Sequence, residues 1–133
     1  MRLALPEITL GEFPATGGTQ RLPRLIGFAR ARSFMLLGEP VTAAEAQAFG
    51  LIDRVVAPED VLPTAMVIGA TLATRSGVAV AALKRALHEG LERPLAEGLA
   101  LEVDLMESLS GSVDATEGYR AFLEKRPPRF THR

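Results

Sequence analysis

The chain has 133 residues, 47% of them apolar, with 15 basic and 16 acidic side chains, a formal charge of -1 and no cysteine. That length bounds it at one domain with enough apolar material to bury a core. The balanced charge points away from a nucleic-acid surface or a basic membrane patch. The lack of cysteine excludes a disulfide framework and thiolate metal sites or nucleophiles, and fits a reducing, cytoplasmic setting.

Two histidines, His88 and His132, do not make a metal cluster. No run approaches the about 18 consecutive apolar residues of a membrane span. The apolar run at the N-terminus is too short for a secretory signal.

In chain order, residues 2–8 read as a strand that ends in a carboxylate, Glu7. Apolar Leu3, Leu5, Ile8 and Leu10 flank that carboxylate. A Gly/Pro-rich turn follows and opens a helix from Gly18 to about Leu25. A second helix is expected over Phe28–Leu37, with Phe28, Ala31 and Met35 on one side. Gly38-Glu39-Pro40 reads as a turn. Thr42 and Glu45 have the spacing of a capping box, and Gly50 is suited to close that helix.

Leu51–Val56 is rich in β-formers and predicts a short strand or an extended segment. Pro58-Glu59-Asp60 then starts a helix to about Ala73, with acids at its positive end. Further helices are predicted over Gly77–Glu89 and from Pro94 to about Leu109. The second of these carries two apolar stripes: Leu95, Leu99, Val103 and Met106, and Leu101, Leu105 and Leu109. A helix covered on two sides needs both. Asp114 and Glu117 have capping spacing before a last helix that stops at Pro127-Pro128. Met35, Met66 and Met106 read as core filler.

Glu7 is the leading candidate for chemistry. A carboxylate among apolar side chains is placed to work as an acid or base. The turn Gly17-Gly18-Thr19 opens a helix close by, so unpaired backbone N–H groups gather near it. Glu12 has two readings: a solvated loop acid, or a second carboxylate beside Glu7. Arg21 and Arg24 read as a solvated helix face, with no catalytic role. Glu102 reads as a paired structural carboxylate and His88 as a surface residue.

The stretch from Leu5 to Arg24, with Pro6-Glu7, Pro14 and Gly17-Gly18-Thr19-Gln20-Arg21-Leu22, resembles the crotonase superfamily of enoyl-CoA hydratases and isomerases. Ala121-Phe122-Leu123-Glu124-Lys125-Arg126 is similar to that family's C-terminal signature. The family normally has Gly at position 15, a small residue at 16 and an apolar residue at 12, so Ala15, Thr16 and Glu12 depart from it.

The resemblance implies only the C-terminal half of the family's ββα spiral fold: a mostly α chain with a short β segment, including the trimerisation helices. Residues 1–56 would be a remnant of the core with the active-site turn. Residues 57–133 would be the helical oligomerisation region, the two forming one compact unit. Glu7 would be catalytic. Ala15, Thr16 and Gly17, with Phe122 and Lys125, would bind substrate.

The implied activity is hydration of a 2-enoyl-CoA thioester, incomplete on its own because the second glutamate and the oxyanion hole are missing. A Δ-isomerase, or a non-catalytic half-domain that only oligomerises, stands as the alternative. No cofactor or metal is implied beyond the coenzyme A of the substrate. The implied partners are an acyl-CoA thioester and either further copies, as a trimer or hexamer, or a missing N-terminal half.

Overall fold

A computed structural model describes all of residues 1–133. The chain divides into two compact units, Met1–Asp60 and Val61–Arg133.

The first unit is built on two helices, α1 (Gly18–Ile26) and α2 (Phe28–Leu37), joined at Gly27. Their facing sides bury Leu22, Ala31 and Phe34, and Leu5, Met35 and Leu51 pack against that cluster. Phe34 is the aromatic core residue. Phe28, read on one side of the helix with Ala31 and Met35, is exposed and lies under the Arg32 guanidinium at 5.6 Å. Helix α1 continues through Pro23. The missing N–H there costs one backbone bond.

The expected strand over residues 2–8 is confined to β1 (Arg2–Leu3). It pairs antiparallel with β2 (Val41–Thr42), Arg2 opposite Thr42 and Leu3 opposite Val41. Pro6 has no N–H to extend the ladder, and the chain enters a 3₁₀ turn at Glu7–Leu10. The extended segment expected at Leu51–Val56 forms no strand. Its β-formers pair with neither strand of the two-stranded sheet.

Helix α3 (Ala43–Ala48) starts on the predicted capping box. The Thr42 hydroxyl accepts from the Glu45 N–H at 3.2 Å, and the Thr42 N–H donates to the Glu45 carboxylate at 2.7 Å. Gly50, at φ 78°, follows the end of the helix as predicted.

The second unit holds α4 (Val61–Ala73), α5 (Gly77–Gly90), α6 (Leu95–Ser110) and α7 (Val113–Leu123). Its core lies between α5 and α6, where Ala82, Leu101 and Leu105 are buried and Ala86 and Leu109 pack against them. Small residues allow the close approach. A Cβ on Gly98 would lie 3.1 Å from the Gly90 carbonyl oxygen.

Only one of the two α6 stripes is therefore covered. Leu95, Leu99, Val103 and Met106 are 51–78% exposed. Helix α4 buries no residue, although it is apolar around its whole circumference. Met66 and Met106 are exposed rather than core filler, because each sits on a helix face that no other element covers. No single helix is long and apolar enough to cross a membrane.

The Gly98–Gly90 contact yields a direct test. Gly98→Ala must push a methyl onto a backbone carbonyl and should lower unfolding free energy by about 1–3 kcal/mol, the usual cost of overpacking. Gly111→Ala, at a position with open space around it, should stay within about 1 kcal/mol of the parent. Urea denaturation of the two variants measures both.

Candidate functional site

Glu7 opens the 3₁₀ turn that follows Pro6. The turn is closed locally. The Thr9 hydroxyl and Thr9 N–H both donate to the Pro6 carbonyl, at 2.7 and 2.9 Å, and the Glu12 N–H donates to the Glu7 carbonyl at 3.1 Å. Gly38 seats this turn against the end of α2. It holds φ +64°, and a Cβ there would lie 3.1 Å from Ile8 Cγ2. An L side chain at position 38 would be strained twice, by its φ and by that contact.

Glu7 lies on the wall of an open cavity of ≈ 540 Å³, together with Ala15, Thr16, Gly17 and Gly18. Leu3, Leu5, Leu22, Leu25 and Phe34 supply its apolar lining. The Glu7 Oε2 atom is buried and has no hydrogen-bond partner. An unpaired buried acceptor costs about 1–3 kcal/mol, and such orphans in a cavity wall are available for a ligand or a proton.

The adjoining turn carries two left-handed residues in succession, Thr16 at φ 54° and Gly17 at φ 97°. Its own bonds run from the Gly18 N–H to Ala15 O, the Thr19 N–H to Pro14 O and the Arg21 N–H to Gly17 O. The Thr16 and Gly17 N–H groups take no part in them.

Arg21, expected on a solvated face, lies over this turn. Its Nη2 donates to the Thr16 carbonyl at 2.5 Å, and its guanidinium fills the place a Gly17 side chain would need. No local pattern signals this, since a five-residue reach back across a helix start has no sequence period. Glu12 is exposed and is not part of the cavity wall. The solvated reading of Glu12 is the one the structure fits. Glu102 is exposed as well, with no acid–base partner.

Phe122 and Lys125 lie in the second unit, at the end of α7. Phe122 is 81% exposed. Lys125 is left-handed at φ 53°, the position where helices commonly place glycine. The helix closes around it with two bonds, Lys125 N–H to Phe122 O at 3.2 Å and Arg126 N–H to Ala121 O at 3.0 Å.

Beyond this turn the tail doubles back along α7 and is held by two carboxylates of that helix. Asp114 accepts from the Thr131 N–H at 2.7 Å and the His132 N–H at 3.1 Å. Glu117 receives both Nη atoms of Arg126, at 2.6 and 3.0 Å, and the Arg129 N–H at 2.8 Å. The Gly77 N–H donates to His132 Nδ1 at 3.0 Å, tying the tail to the start of α5.

Asp114 is thus a tail clamp and not the expected cap. Ser112 caps α7, accepting from the Ala115 N–H. Burial pushes the Asp114 carboxyl up, but donation from Ser76, Thr131 and His132 outweighs it and leaves the pKa below the usual range. The Arg126 guanidinium, aided by the Arg129 N–H, holds Glu117 down at about 2 against its burial.

A family model described as enoyl-CoA hydratase/isomerase matches residues 1–133. The chain belongs to the enoyl-CoA hydratase/isomerase family. It is 45% identical over 128 residues to a probable enoyl-CoA hydratase of Mycobacterium leprae, covering 96% of this chain and 50% of that protein. It is 42% identical over 132 residues to the 2,3-dehydroadipyl-CoA hydratase of Escherichia coli, covering 99% and 52%. The crystal structure of an enoyl-CoA hydratase from Bacillus anthracis superposes with a TM-score of 0.95 at 37% identity, covering 99% of this chain and 51% of that one. The chain spans about half the length of the relatives it matches.

These matches correct the expectation of a C-terminal half only. Family likeness runs along the chain from end to end, over residues 1–133 in sequence and 99% in structure. The family fold is therefore assigned to the chain as a whole rather than to a C-terminal portion of one. The expectation rested on comparing the length of this chain, 133 residues, with a family chain roughly twice as long. Backbone likeness reports on every residue, including stretches such as α4 that carry no motif.

The tail clamp yields a pH prediction. Glu117 has a depressed folded pKa, so its contribution to stability is present above about pH 4.5 and is lost as pH falls toward about 2. Glu117→Gln should remove this share of the acid sensitivity. Hydrogen exchange of the tail amides, followed from pH 5 to pH 2, should speed up with acid in the parent and be fast throughout in the variant.

Proposed function

We propose that this protein acts in the hydration of 2-enoyl-CoA thioesters, with Glu7 exchanging a proton between water and substrate. The observation that carries the proposal is the buried, unpartnered Oε2 of Glu7 on an apolar cavity wall shared with the left-handed turn at Ala15, Thr16 and Gly17. In the reaction the water oxygen bonds to the β-carbon as the C=C bond opens, and a proton is added at the α-carbon. Net change is one water gained.

A carboxylate on the cavity wall can take or return that proton. The free N–H groups of Thr16 and Gly17 are of the kind that hold a water or a developing negative charge beside it. The apolar lining suits the acyl chain. Phe122 and Lys125 suit the adenosine phosphate end of coenzyme A, the ring by stacking and the ammonium by charge.

One observation favours a second chemistry at the same residue. Glu7 is the only carboxylate on the cavity wall. Moving a double bond within an enoyl thioester needs a single group to remove a proton from one carbon and return it to another, so a Δ-isomerase is the alternative reaction.

Glu7→Gln tests both readings. The amide keeps the shape and cannot accept the proton, so turnover should fall by about 10²–10⁴-fold. Loss of the conjugated enoyl absorbance of crotonyl-CoA reports hydration, and conversion of a 3-enoyl-CoA reports isomerisation. Unchanged rates in both assays would sink the role of Glu7.

The assembly proposed is a homo-oligomer, a trimer or a hexamer, with copies meeting through the outer stripe of α6. Four apolar residues in one row, left bare by the rest of the unit, are of the kind that subunit contacts cover. Leu99→Asp should shift the mass seen by light scattering to a smaller species. An unchanged mass would place the contact elsewhere.

A further inference from the structure

We infer that Arg21 is the positioning residue for the Thr16–Gly17 turn: it offsets the backbone strain at Thr16 and fixes which way the Gly17 N–H points. The inference rests on the reading that this turn works with Glu7 on an enoyl thioester. It assigns a task to a side chain whose sequence context marks only a solvated helix face.

Thr16 stands at φ 54°. A positive φ is uncommon for any L residue and an outlier for a β-branched one. Such a conformation persists only where the surroundings over-determine it. Arg21 supplies that hold through bonds to two successive carbonyls. Its Nη2 donates to Thr16 O at 2.5 Å, and its backbone N–H donates to Gly17 O at 2.8 Å. The first bond is charge-assisted, the stronger class.

The guanidinium reaches Thr16 because residue 17 has no side chain. A Cβ there would lie 2.5 Å from Arg21 Nη2 and 2.9 Å from Cζ. Gly17 is thus needed twice, for its own φ of 97° and for the path of Arg21 over it.

In a trans peptide the C=O of one residue and the N–H of the next point opposite ways in one plane. Holding the Thr16 C=O to the guanidinium therefore holds the Gly17 N–H on the side away from it. Rotation of that peptide would break the Nη2 bond. Gly17 lies on the cavity wall that Glu7 shares, and its N–H is spent on no backbone carbonyl. Arg21 decides whether this free donor keeps its direction.

Arg21 lies on the same wall, so direct contact with substrate is the rival role. A double-mutant cycle with Thr16 separates the two. Glycine adopts a positive φ without steric cost, so a turn carrying Thr16→Gly has less need of Arg21. For the assembled protein acting on crotonyl-CoA, Arg21→Ala should lower kcat about tenfold, the loss of one charge-assisted bond. KM should stay within about twofold. In the Thr16→Gly background the same change should lower kcat by less than about threefold. Equal losses in both backgrounds, or a raised KM with kcat kept, would overturn the inference.

A second readout needs no turnover. A positive φ brings a residue's amide and α protons close together, so Thr16 should give a strong NOE between them in the parent. Arg21→Ala should weaken that NOE as the turn samples negative φ. An NOE equally strong in parent and variant would overturn the inference, whatever the turnover. A weakened NOE in a protein whose parent turns over no thioester supports the positioning role and sinks only the reaction proposed for Glu7.

Discussion

The first unit holds one carboxylate oxygen unsatisfied, at a cost its packing must offset. The Glu7 Oε2 atom is buried without a donor, a state that relaxation of the surrounding chain would normally remove. The local structure prevents that relaxation. Pro6 stops the strand and Thr9 closes the turn with two bonds to one carbonyl. Gly38 then lets the turn seat tightly on the end of α2. The helix pair α1–α2 supplies the apolar wall through Leu22 and Phe34, the same residues that form the core. The packing that holds the unit together is also what deprives Glu7 of a partner.

The second unit treats its carboxylates in the opposite way. Asp114 is 1% exposed and is surrounded by donors, so burial and hydrogen bonding oppose each other and hydrogen bonding wins. Glu117 is satisfied by a guanidinium and a backbone N–H. Satisfied carboxylates of this kind fix chain geometry, and an unsatisfied one is left for chemistry. The contrast separates the tail clamp from the Glu7 site without reference to any relative.

Legibility in the sequence followed the range of the interactions. The capping box at Thr42 and Glu45, the glycine at position 50 and the helices α2, α5 and α6 were readable, because each depends on contacts within about one turn of helix. Glu7 and the turn at Gly17 were readable as a pair from their spacing. The strands were overestimated, because β-propensity reports fitness for a sheet and not whether a partner edge is present. Phe34 was missed in favour of Phe28 because two aromatics on one short helix cannot be ranked without the packing partner. Gly38, Arg21 and the clamp at Asp114 and Glu117 were not readable. Glu117 and Arg126 are nine residues apart across a helix end, and no periodicity joins them.

The apolar surface left over is distributed unevenly, and that distribution is informative. Helix α6 buries Leu101 and Leu105 against α5 while leaving Leu99, Val103 and Met106 bare. Helix α4 leaves Leu62, Met66, Val67 and Leu72 bare, each more than half exposed. At about 25 cal/mol per Å² of apolar surface removed from water, covering even one of these faces would contribute stabilisation comparable to that of a small core. Scattered single exposed leucines carry no such message. A row along one helix does, because a row is what a second helix or a second molecule covers in one step. The α6 row stands opposite a well-packed stripe on the same rod, so anything that covers it would have α5, α6 and the Gly90–Gly98 crossing as a rigid backing.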